Sequence, residues 1–100
     1  MGRGQGRGGQ RGPQVNYRVE IESRARREFL SLPPDVQARI INAIDDLVTN
    51  PRPPGARRLV GRDGYRLRQG DYRILYMVED NSRVVRVYRI GHRRDIYRGL

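Results

Sequence analysis

The sequence contains no cysteine and a single histidine, His92, which excludes several kinds of chemistry at once. Without thiols there is no disulfide, no thiolate metal site and no cysteine nucleophile, and one imidazole cannot form a multi-histidine metal cluster. No apolar run approaches the ~20 residues that a membrane-spanning helix needs, and nothing resembles the apolar core of a signal peptide. We therefore expect a cytoplasmic protein that uses no metal ion, no small-molecule cofactor and no membrane.

Lysine is also absent: all 21 basic residues are arginines, and the 100-residue chain has a net charge of +10. A GC-rich genome alone would produce this bias, but the physical consequence is the same. Arginine stays charged at any relevant pH and binds phosphate through a planar, bidentate fork. The charge therefore favours a polyanionic partner, such as a nucleic acid.

The first sixteen residues consist almost wholly of glycine, arginine and glutamine and have no apolar periodicity. Such a segment is predicted to be disordered, because it cannot bury enough apolar surface to offset the entropy of ordering. Three interpretations stay open: an arginine-glycine RNA-binding segment, an inert solvated tail, or a purine-rich leader upstream of the true translation start. Residues 17–100 then form one small domain, which keeps 18 arginines against 11 acidic residues.

Residues 17–49 have the pattern of one strand followed by two helices. Residues 17–22 alternate between apolar and charged side chains, which is the period of a half-buried strand. Ser23 is suited to cap a short helix that ends near Leu32, before Pro33. Proline is tolerated in a first helical turn, so a second helix is expected from Pro34 to about Thr49. Its apolar residues recur with helical spacing and predict one buried face: Val36, Ile40, Ala43, Ile44, Leu47 and Val48.

The second half has the pattern of three strands, over residues 65–68, 72–78 and 83–90. Turn-forming residues separate them, with Gly70 and Asp71 after the first strand and residues 80–82 after the second. The predicted order is β-α-α-β-β-β. We expect an α+β fold, with a small antiparallel sheet and two helices packed on one of its faces.

Each of these strands contains at least one arginine, and reactive side chains follow the last strand. Arg66 and Arg68 share one face of their strand, while Arg73 and Arg86 belong to the next two strands. Neighbouring antiparallel strands hold such side chains about 5 Å apart. The uncovered sheet face is thus predicted to be lined by arginines, although an ordinary solvated strand face would have the same pattern. The predicted rim of this surface follows the third strand: His92, Arg93, Arg94 and Tyr97.

In their order and spacing, the motifs of residues 17–98 resemble the RelE/ParE superfamily, which comprises toxins of bacterial and archaeal toxin–antitoxin pairs. The resemblance covers the whole domain and omits only the tail. It implies a toxin that a cognate antitoxin protein neutralises. The motifs that carry it are Leu32-Pro33, Asn50-Pro51-Arg52 with Leu59 and Gly61 in the following loop, the run from Gly70 to Tyr76, and the run from Arg89 to Tyr97.

The RelE branch contains ribosome-dependent endoribonucleases that cut messenger RNA in the decoding site. The resemblance implies that Arg73 and Arg93 bind the scissile phosphate and stabilise its charge. It implies that Arg66 and Arg68 hold the substrate strand, where some relatives have lysine. It also implies that Tyr97 stacks on a base or assists proton transfer. The segment from Arg93 to Tyr97 is shorter here than in some members, which changes the reach of the tyrosine.

Cleavage of RNA by its own 2′-hydroxyl yields a 2′,3′-cyclic phosphate and a 5′-hydroxyl, and charge builds on the phosphate oxygens. Preorganised donors lower this barrier, but arginine is a poor proton carrier at neutral pH. His92 fills a position at which relatives carry lysine or histidine, and imidazole is suited to proton transfer near neutral pH. Tyr97 is the second candidate. The structural alternatives are that His92 caps the last strand and that Tyr97 packs on the sheet with Ile96.

Two other functions stay open. The ParE branch uses the same fold to inhibit DNA gyrase by protein binding, without nuclease chemistry. That branch generally lacks the combination of Arg73, Arg93, His92 and Tyr97, so their presence favours the nuclease. An RNA-binding module without chemistry is the third interpretation. The partners predicted for a nuclease are the antitoxin, messenger RNA and the ribosome, and the predicted RNA contacts are Arg66, Arg68, Arg86 and Arg94.

Overall fold

The computed structural model describes residues 16–98, so the predicted tail, apart from Asn16, lies outside the described residues. Within these residues, two helices and five strands follow one another. The helices are α1 (Ser23–Leu30) and α2 (Pro34–Thr49). The strands are β1 (Arg18–Ile21), β2 (Ala56–Arg58), β3 (Tyr65–Gln69), β4 (Tyr72–Glu79) and β5 (Val84–His92).

The strands form a single sheet in the order β1-β5-β4-β3-β2. The α+β architecture with two helices on one face is confirmed. Two details differ from the expectation of an antiparallel sheet. β1 pairs with β5 in parallel, so the sheet is mixed, and β2 is an additional edge strand beside β3. The period of a segment identifies a strand but not its partner, and the three residues of β2 are too few to have a recognisable period.

The helices bury their apolar stripe against one face of the sheet. On α2 the predicted residues Val36, Ile40, Ala43, Ile44 and Leu47 are all buried, and the sixth, Val48, is half-buried. Each fully buried Ile or Leu stabilises the fold by roughly 1.5–3 kcal/mol. The helix α1 differs in its start, because Glu22 rather than Ser23 is the N-cap residue and makes no side-chain cap hydrogen bond. The sheet contributes these residues to the same cluster: Leu67, Ile74, Tyr76, Val85, Val87 and Ile90.

The arginines of β3 and β4 project from the opposite face of the sheet. Arg68 lies directly opposite Arg73 in the β3–β4 register, one step from the pair Leu67 and Ile74, which faces the helices. Successive side chains of a strand point to opposite faces, so Arg66, Arg68 and Arg73 share the face without helices. We call this surface, defined by these three residues, the arginine face.

Gly70 and Asp71 form the tight turn between β3 and β4, since Gln69 pairs with Tyr72 around them. Gly70 has a positive φ of 58°, whereas the φ of Asp71 is not positive. A positive φ at the first central position is the signature of a type II′ hairpin turn, which favours glycine there. The turn fixes the register that aligns Arg68 with Arg73.

Candidate functional site

The hairpin turn Gly70–Asp71 anchors the two arginines that the resemblance assigns to the phosphate. The Nη1 group of Arg73 donates to the Gly70 and Tyr72 carbonyls, at 2.9 and 3.0 Å. The Arg93 backbone N–H donates to the Asp71 carbonyl at 2.7 Å, which continues the β4–β5 ladder by one residue. The Arg93 Nε lies 3.4 Å from the Asp71 carboxylate. Both arginines are therefore held against one short segment of backbone.

The Arg93–Asp71 ion pair is exposed. The two side chains are 51% and 67% accessible to solvent, so Arg93 is available to a ligand that displaces the carboxylate. Arg73 uses a single nitrogen for both of its hydrogen bonds within residues 16–98. Its other guanidinium nitrogens remain as donors. Neither arginine is locked into a buried internal pair.

The C-terminal turn, residues 93–98, folds over the arginine face beside Arg73. In the β4–β5 register Gly91 lies opposite Arg73, and a Cβ atom built on Gly91 would stand 3.3 Å from Cδ1 of Ile96. Ile96 is fully buried there, while its neighbour Tyr97 stays 45% exposed. The small residue opposite Arg73 thus makes room for Ile96, which fixes the position of Tyr97.

Two clefts adjoin the arginine face, and Arg66 lines both. The first cleft has a volume of about 490 Å³ and brings together parts of β2, the following loop, β3 and the C-terminal turn. Its lining residues are Arg58, Leu59, Val60, Arg62, Arg66 and Tyr97. The second cleft, of about 480 Å³, extends toward the hairpin turn and is lined by Gly55, Arg57, Arg66, Arg68, Gln69 and Gly70.

The His92 side chain lies on the opposite face of the sheet from the Arg73 side chain. It pairs with Tyr72, which packs against the helix-side core, and the two rings meet edge to face with centroids 5.5 Å apart. Its Nδ1 accepts the Arg94 backbone N–H at 3.1 Å. In a neutral imidazole the proton is then carried on Nε2. His92 therefore caps the turn that follows β5.

The other two predicted RNA contacts have different surroundings. Arg86 lies between two carboxylates, 3.3 Å from Glu20 and 3.4 Å from Glu79, and is only 29% exposed. It is not brought together with Arg66, Arg68 and Arg73. Arg94 is exposed in the turn after β5, at the rim of the sheet end that carries Arg93.

One buried ion pair that supports the site was missed by sequence reasoning. Glu28 on α1 accepts the Arg89 Nε–H at 2.9 Å and the Ile90 backbone N–H at 2.9 Å. Arg89 in turn donates to the Arg98 carbonyl at 3.2 Å. These bonds tie the C-terminal turn, and with it Tyr97, to β5 and α1. Arg89 could not be recognised from the sequence, because nothing local distinguishes it from Arg86, the other arginine of β5.

A second polar cluster lies at the far end of β4. Asp80 accepts two hydrogen bonds from Arg52, at 3.1 and 2.8 Å, and one from the Tyr17 hydroxyl at 2.6 Å. These donors, Arg52 foremost and then Tyr17, lower the pKa of Asp80 to about 2. The cluster is separated from Arg73 by seven residues of extended chain, roughly 23 Å. It joins the loop after α2 to the β4–β5 turn and does not contribute to the arginine face.

Within residues 16–98, no group of three His, Asp or Glu side chains is arranged to hold a metal ion. Neither α1 nor α2 is long and apolar enough to cross a membrane.

Comparison with known proteins identifies the relatives of this chain. A family model described as the ParE toxin of the parDE type II toxin–antitoxin system matches residues 19–97. The toxin RelG of Mycobacterium tuberculosis is 37% identical over 86 residues, which cover 82% of this chain and 97% of that protein. The putative toxin RelE1 of Methanocaldococcus jannaschii is 32% identical over 88 residues, which cover 84% of this chain and 98% of that protein.

The fold also matches a solved toxin. A chain in the crystal structure of the toxin–antitoxin complex RelBE2 from Mycobacterium tuberculosis superposes with a TM-score of 0.70 at 31% identity. The match covers 78% of this chain and 99% of that chain. The family model, the relatives and the fold agree, and the chain belongs to the RelE/ParE superfamily of toxins from type II toxin–antitoxin systems.

Proposed function

We propose that this toxin is an endoribonuclease that cleaves messenger RNA on the ribosome. The observation that carries the proposal is the anchoring of Arg73 and Arg93 on the same hairpin turn, Gly70–Asp71. Two guanidiniums supported in this way are suited to a phosphodiester, because each offers paired N–H donors in a fixed plane. Family membership supports the same role, because the resemblance to the RelE branch assigns the phosphate contacts to these two positions.

In the proposed reaction the 2′-oxygen of the substrate attacks the adjacent phosphorus, and the bond from phosphorus to the 5′-oxygen breaks. The products are a 2′,3′-cyclic phosphate and a 5′-hydroxyl. The 2′-hydroxyl loses its proton, and the leaving 5′-oxygen gains one. Arg73 and Arg93 stabilise the charge that builds on the phosphate oxygens, and one such donor contributes about 10²–10³-fold to the rate. Arg66 and Arg68 hold the substrate strand.

Tyr97 and His92 divide the remaining roles in this proposal. Tyr97 lines the first cleft together with Arg66, so we assign it contact with the substrate. His92 lies on the opposite face of the sheet from Arg73, so in this proposal it could reach the substrate only around the end of the sheet and through Nε2, while Nδ1 accepts the Arg94 N–H. Arg94 is kept as an RNA contact at the rim. We assign no RNA contact to Arg86, because two carboxylates already neutralise its charge.

The proposed partners follow from this activity. A RelB-type antitoxin is proposed to neutralise the toxin, as the names of the related toxin–antitoxin complexes suggest. Messenger RNA and the ribosome are the proposed target, and the cytoplasm is the proposed site of action. DNA should be spared, because it lacks the 2′-hydroxyl that acts as nucleophile.

The test is induced expression followed by mapping of messenger RNA 5′ ends. We expect growth arrest and discrete new ends within translated codons. Arg73→Ala and Arg93→Ala should each reduce cleavage by about 10²–10³-fold. Arg26→Ala removes an equally charged, exposed residue of α1 and serves as the matched control. Arrest that persists in a soluble Arg73→Ala/Arg93→Ala double variant would contradict the nuclease.

Inhibition of DNA gyrase is the second candidate, and the ParE description of the matching family model favours it. This function needs a protein-binding surface and no phosphate chemistry. It predicts arrested growth with altered plasmid supercoiling and no new messenger RNA ends. The same induced cultures supply both measurements, so one experiment separates the two candidates.

A further inference from the structure

We propose that the first cleft is a nucleobase pocket, and that the loop of residues 59–64 determines which nucleotide next to the scissile phosphate is preferred. The inference rests on the proposed binding of RNA to the arginine face. It assigns a ligand to Leu59, Val60 and Arg62, to which neither the resemblance nor the proposed cleavage chemistry gives a role.

The base of the loop is rigidly held. The Leu59 N–H donates to the Gly64 carbonyl at 2.9 Å, which closes the loop on itself. Gly64 is buried with φ 113°, and a Cβ atom there would lie 2.8 Å from the Tyr76 carbonyl, so the chain passes tightly over β4. The Arg62 guanidinium lies over the ring of Tyr88, 5.7 Å from its centroid. The side chains at the loop tip therefore project from a fixed support.

Val60 is 98% exposed, more than any other large hydrophobic residue of the described chain. A single exposed apolar side chain is ordinary on a protein surface. What distinguishes Val60 is its location, because it forms one wall of the first cleft with Leu59, and Tyr97 contributes to the same cleft. An apolar wall and a half-exposed aromatic ring thus share one space of about 490 Å³.

The chemistry of this cleft fits a nucleobase better than an acidic peptide. A base has apolar faces for Val60, Leu59 and the Tyr97 ring, and its sugar carries the phosphates that arginines bind. Proteins read single-stranded RNA by stacking splayed bases on aromatic side chains and arginine planes. Carboxylates of a peptide would pair with the arginines but would leave the apolar wall unused.

The pocket is also connected to the proposed phosphate site. Arg66 lines both clefts, and the second cleft contains Arg68, whose cross-strand partner is Arg73. Cross-strand neighbours lie about 5 Å apart. A nucleotide with its base in the first cleft would therefore direct its phosphate toward the row of Arg66, Arg68 and Arg73.

Binding is tested by NMR on the full-length chain, labelled at its methyl groups and titrated with fully 2′-O-methylated RNA tetranucleotides of different sequence. These oligonucleotides lack the free nucleophile and cannot be cleaved. We expect the methyl resonances of Leu59 and Val60 to shift, by different amounts for different bases, and inorganic phosphate to leave them unmoved. Loop resonances that stay unchanged, or that respond equally to phosphate, overturn the pocket.

Specificity is tested with Val60→Ala, which removes almost no buried surface and so should not unfold the protein. The change should alter the ratio of cleavage at different nucleotides on the order of tenfold, the usual effect of small changes in a recognition pocket. Ile41→Ala, at an exposed position of α2, is the control and should keep the wild-type ratio. An unchanged ratio in Val60→Ala overturns the proposal.

The outcomes separate this inference from the nuclease itself. If the protein cleaves messenger RNA but the loop resonances do not move, the nucleobase pocket is rejected and the nuclease function is retained. If the Leu59 and Val60 resonances shift in a base-dependent way but the protein cuts no RNA, the pocket is retained and the nuclease function is rejected.

Discussion

The Glu28 carboxylate on α1 and the Arg89 guanidinium on β5 form a 2.9 Å ion pair in which the arginine side chain is only 8% exposed. The same carboxylate accepts the Ile90 N–H, in the part of β5 that extends beyond its partner β1. One acidic side chain therefore accepts a hydrogen bond from the free backbone edge of β5. Through Arg89 it also supports the turn that carries Tyr97.

Glu28→Ala should destabilise the protein by about 2–3 kcal/mol. Breaking a buried pair costs more than this when both charges are fully buried, but Glu28 is 24% exposed. The loss arises because the Arg89 charge and the Ile90 N–H are left without their partner. Urea unfolding measures the effect, and Glu22→Ala, at an exposed position of the same segment, should change the free energy by less than ~0.5 kcal/mol. Equal stability of the two variants would contradict the role of Glu28.

Asp71→Asn should strengthen binding of single-stranded RNA up to about fivefold, because the Asp71 carboxylate competes with phosphate for Arg93. The limit follows from the ~0.2–1 kcal/mol that an exposed ion pair contributes. Fluorescence titration with a 2′-O-methylated oligonucleotide measures the affinity. Asp95→Asn is a matched control, since Asp95 lies 3.5 Å from Arg98 in a similarly exposed pair and its loss changes the net charge equally. Identical gains in RNA affinity in both variants would show that the effect comes from the overall charge and not from competition for Arg93.

Acid should weaken the fold through Asp80. Hydrogen bonds from Arg52 and Tyr17 lower its pKa from 3.8 to about 2. The ionised carboxylate therefore stabilises the folded state above about pH 4, and this contribution is lost as the pH falls from 3.8 to about 2. Urea midpoints measured across this window should fall less steeply in Asp80→Asn than in the wild type. Asp63→Asn, at an exposed loop position, should keep the wild-type slope, and a wild-type slope in Asp80→Asn would refute the linkage.

Gly64→Ala should cost more stability than Gly61→Ala. Both glycines have positive φ, of 113° and 78°, so each alanine introduces backbone strain of about 1–3 kcal/mol. Only at Gly64 does the added Cβ also meet a backbone atom, the Tyr76 carbonyl at 2.8 Å, whereas nothing lies within 4 Å at Gly61. The difference between their thermal midpoints isolates this contact. A larger loss in Gly61→Ala would show that the loop is not held against β4.

Local periodicity accounts for the parts of the fold that could be predicted. The stripe of α2 and the alternation of β3 and β4 each specify a face, so the common orientation of Arg66, Arg68 and Arg73 followed from their spacing. The partner of β1 did not follow, because alternation is the same for parallel and antiparallel neighbours. The edge strand β2 escaped recognition because its Ala-Arg-Arg sequence has no apolar alternation.

The site was harder to predict wherever the decisive contact joins residues far apart in sequence. Glu28 and Arg89 are separated by 61 positions, and no local pattern distinguishes Arg89 from Arg86. Asp80 had the sequence character of a turn residue, while its partners Arg52 and Tyr17 come from two other segments. The capping of Arg94 by His92 is local, but it depends on the rotamer of one side chain, which composition does not determine.

Because β1 pairs with β5 in parallel, the two ends of the domain are not equivalent as sites for attaching a label or a fusion partner. Arg18 lies beside Val84, at the sheet end that carries Asp80, whereas Arg98 lies over the end that carries Arg73. A fluorophore attached just before Tyr17 would lie near Asp80, which is separated from Arg73 by roughly 23 Å along β4. A fusion partner joined at Arg98 would lie beside the arginine face and would obstruct access to it.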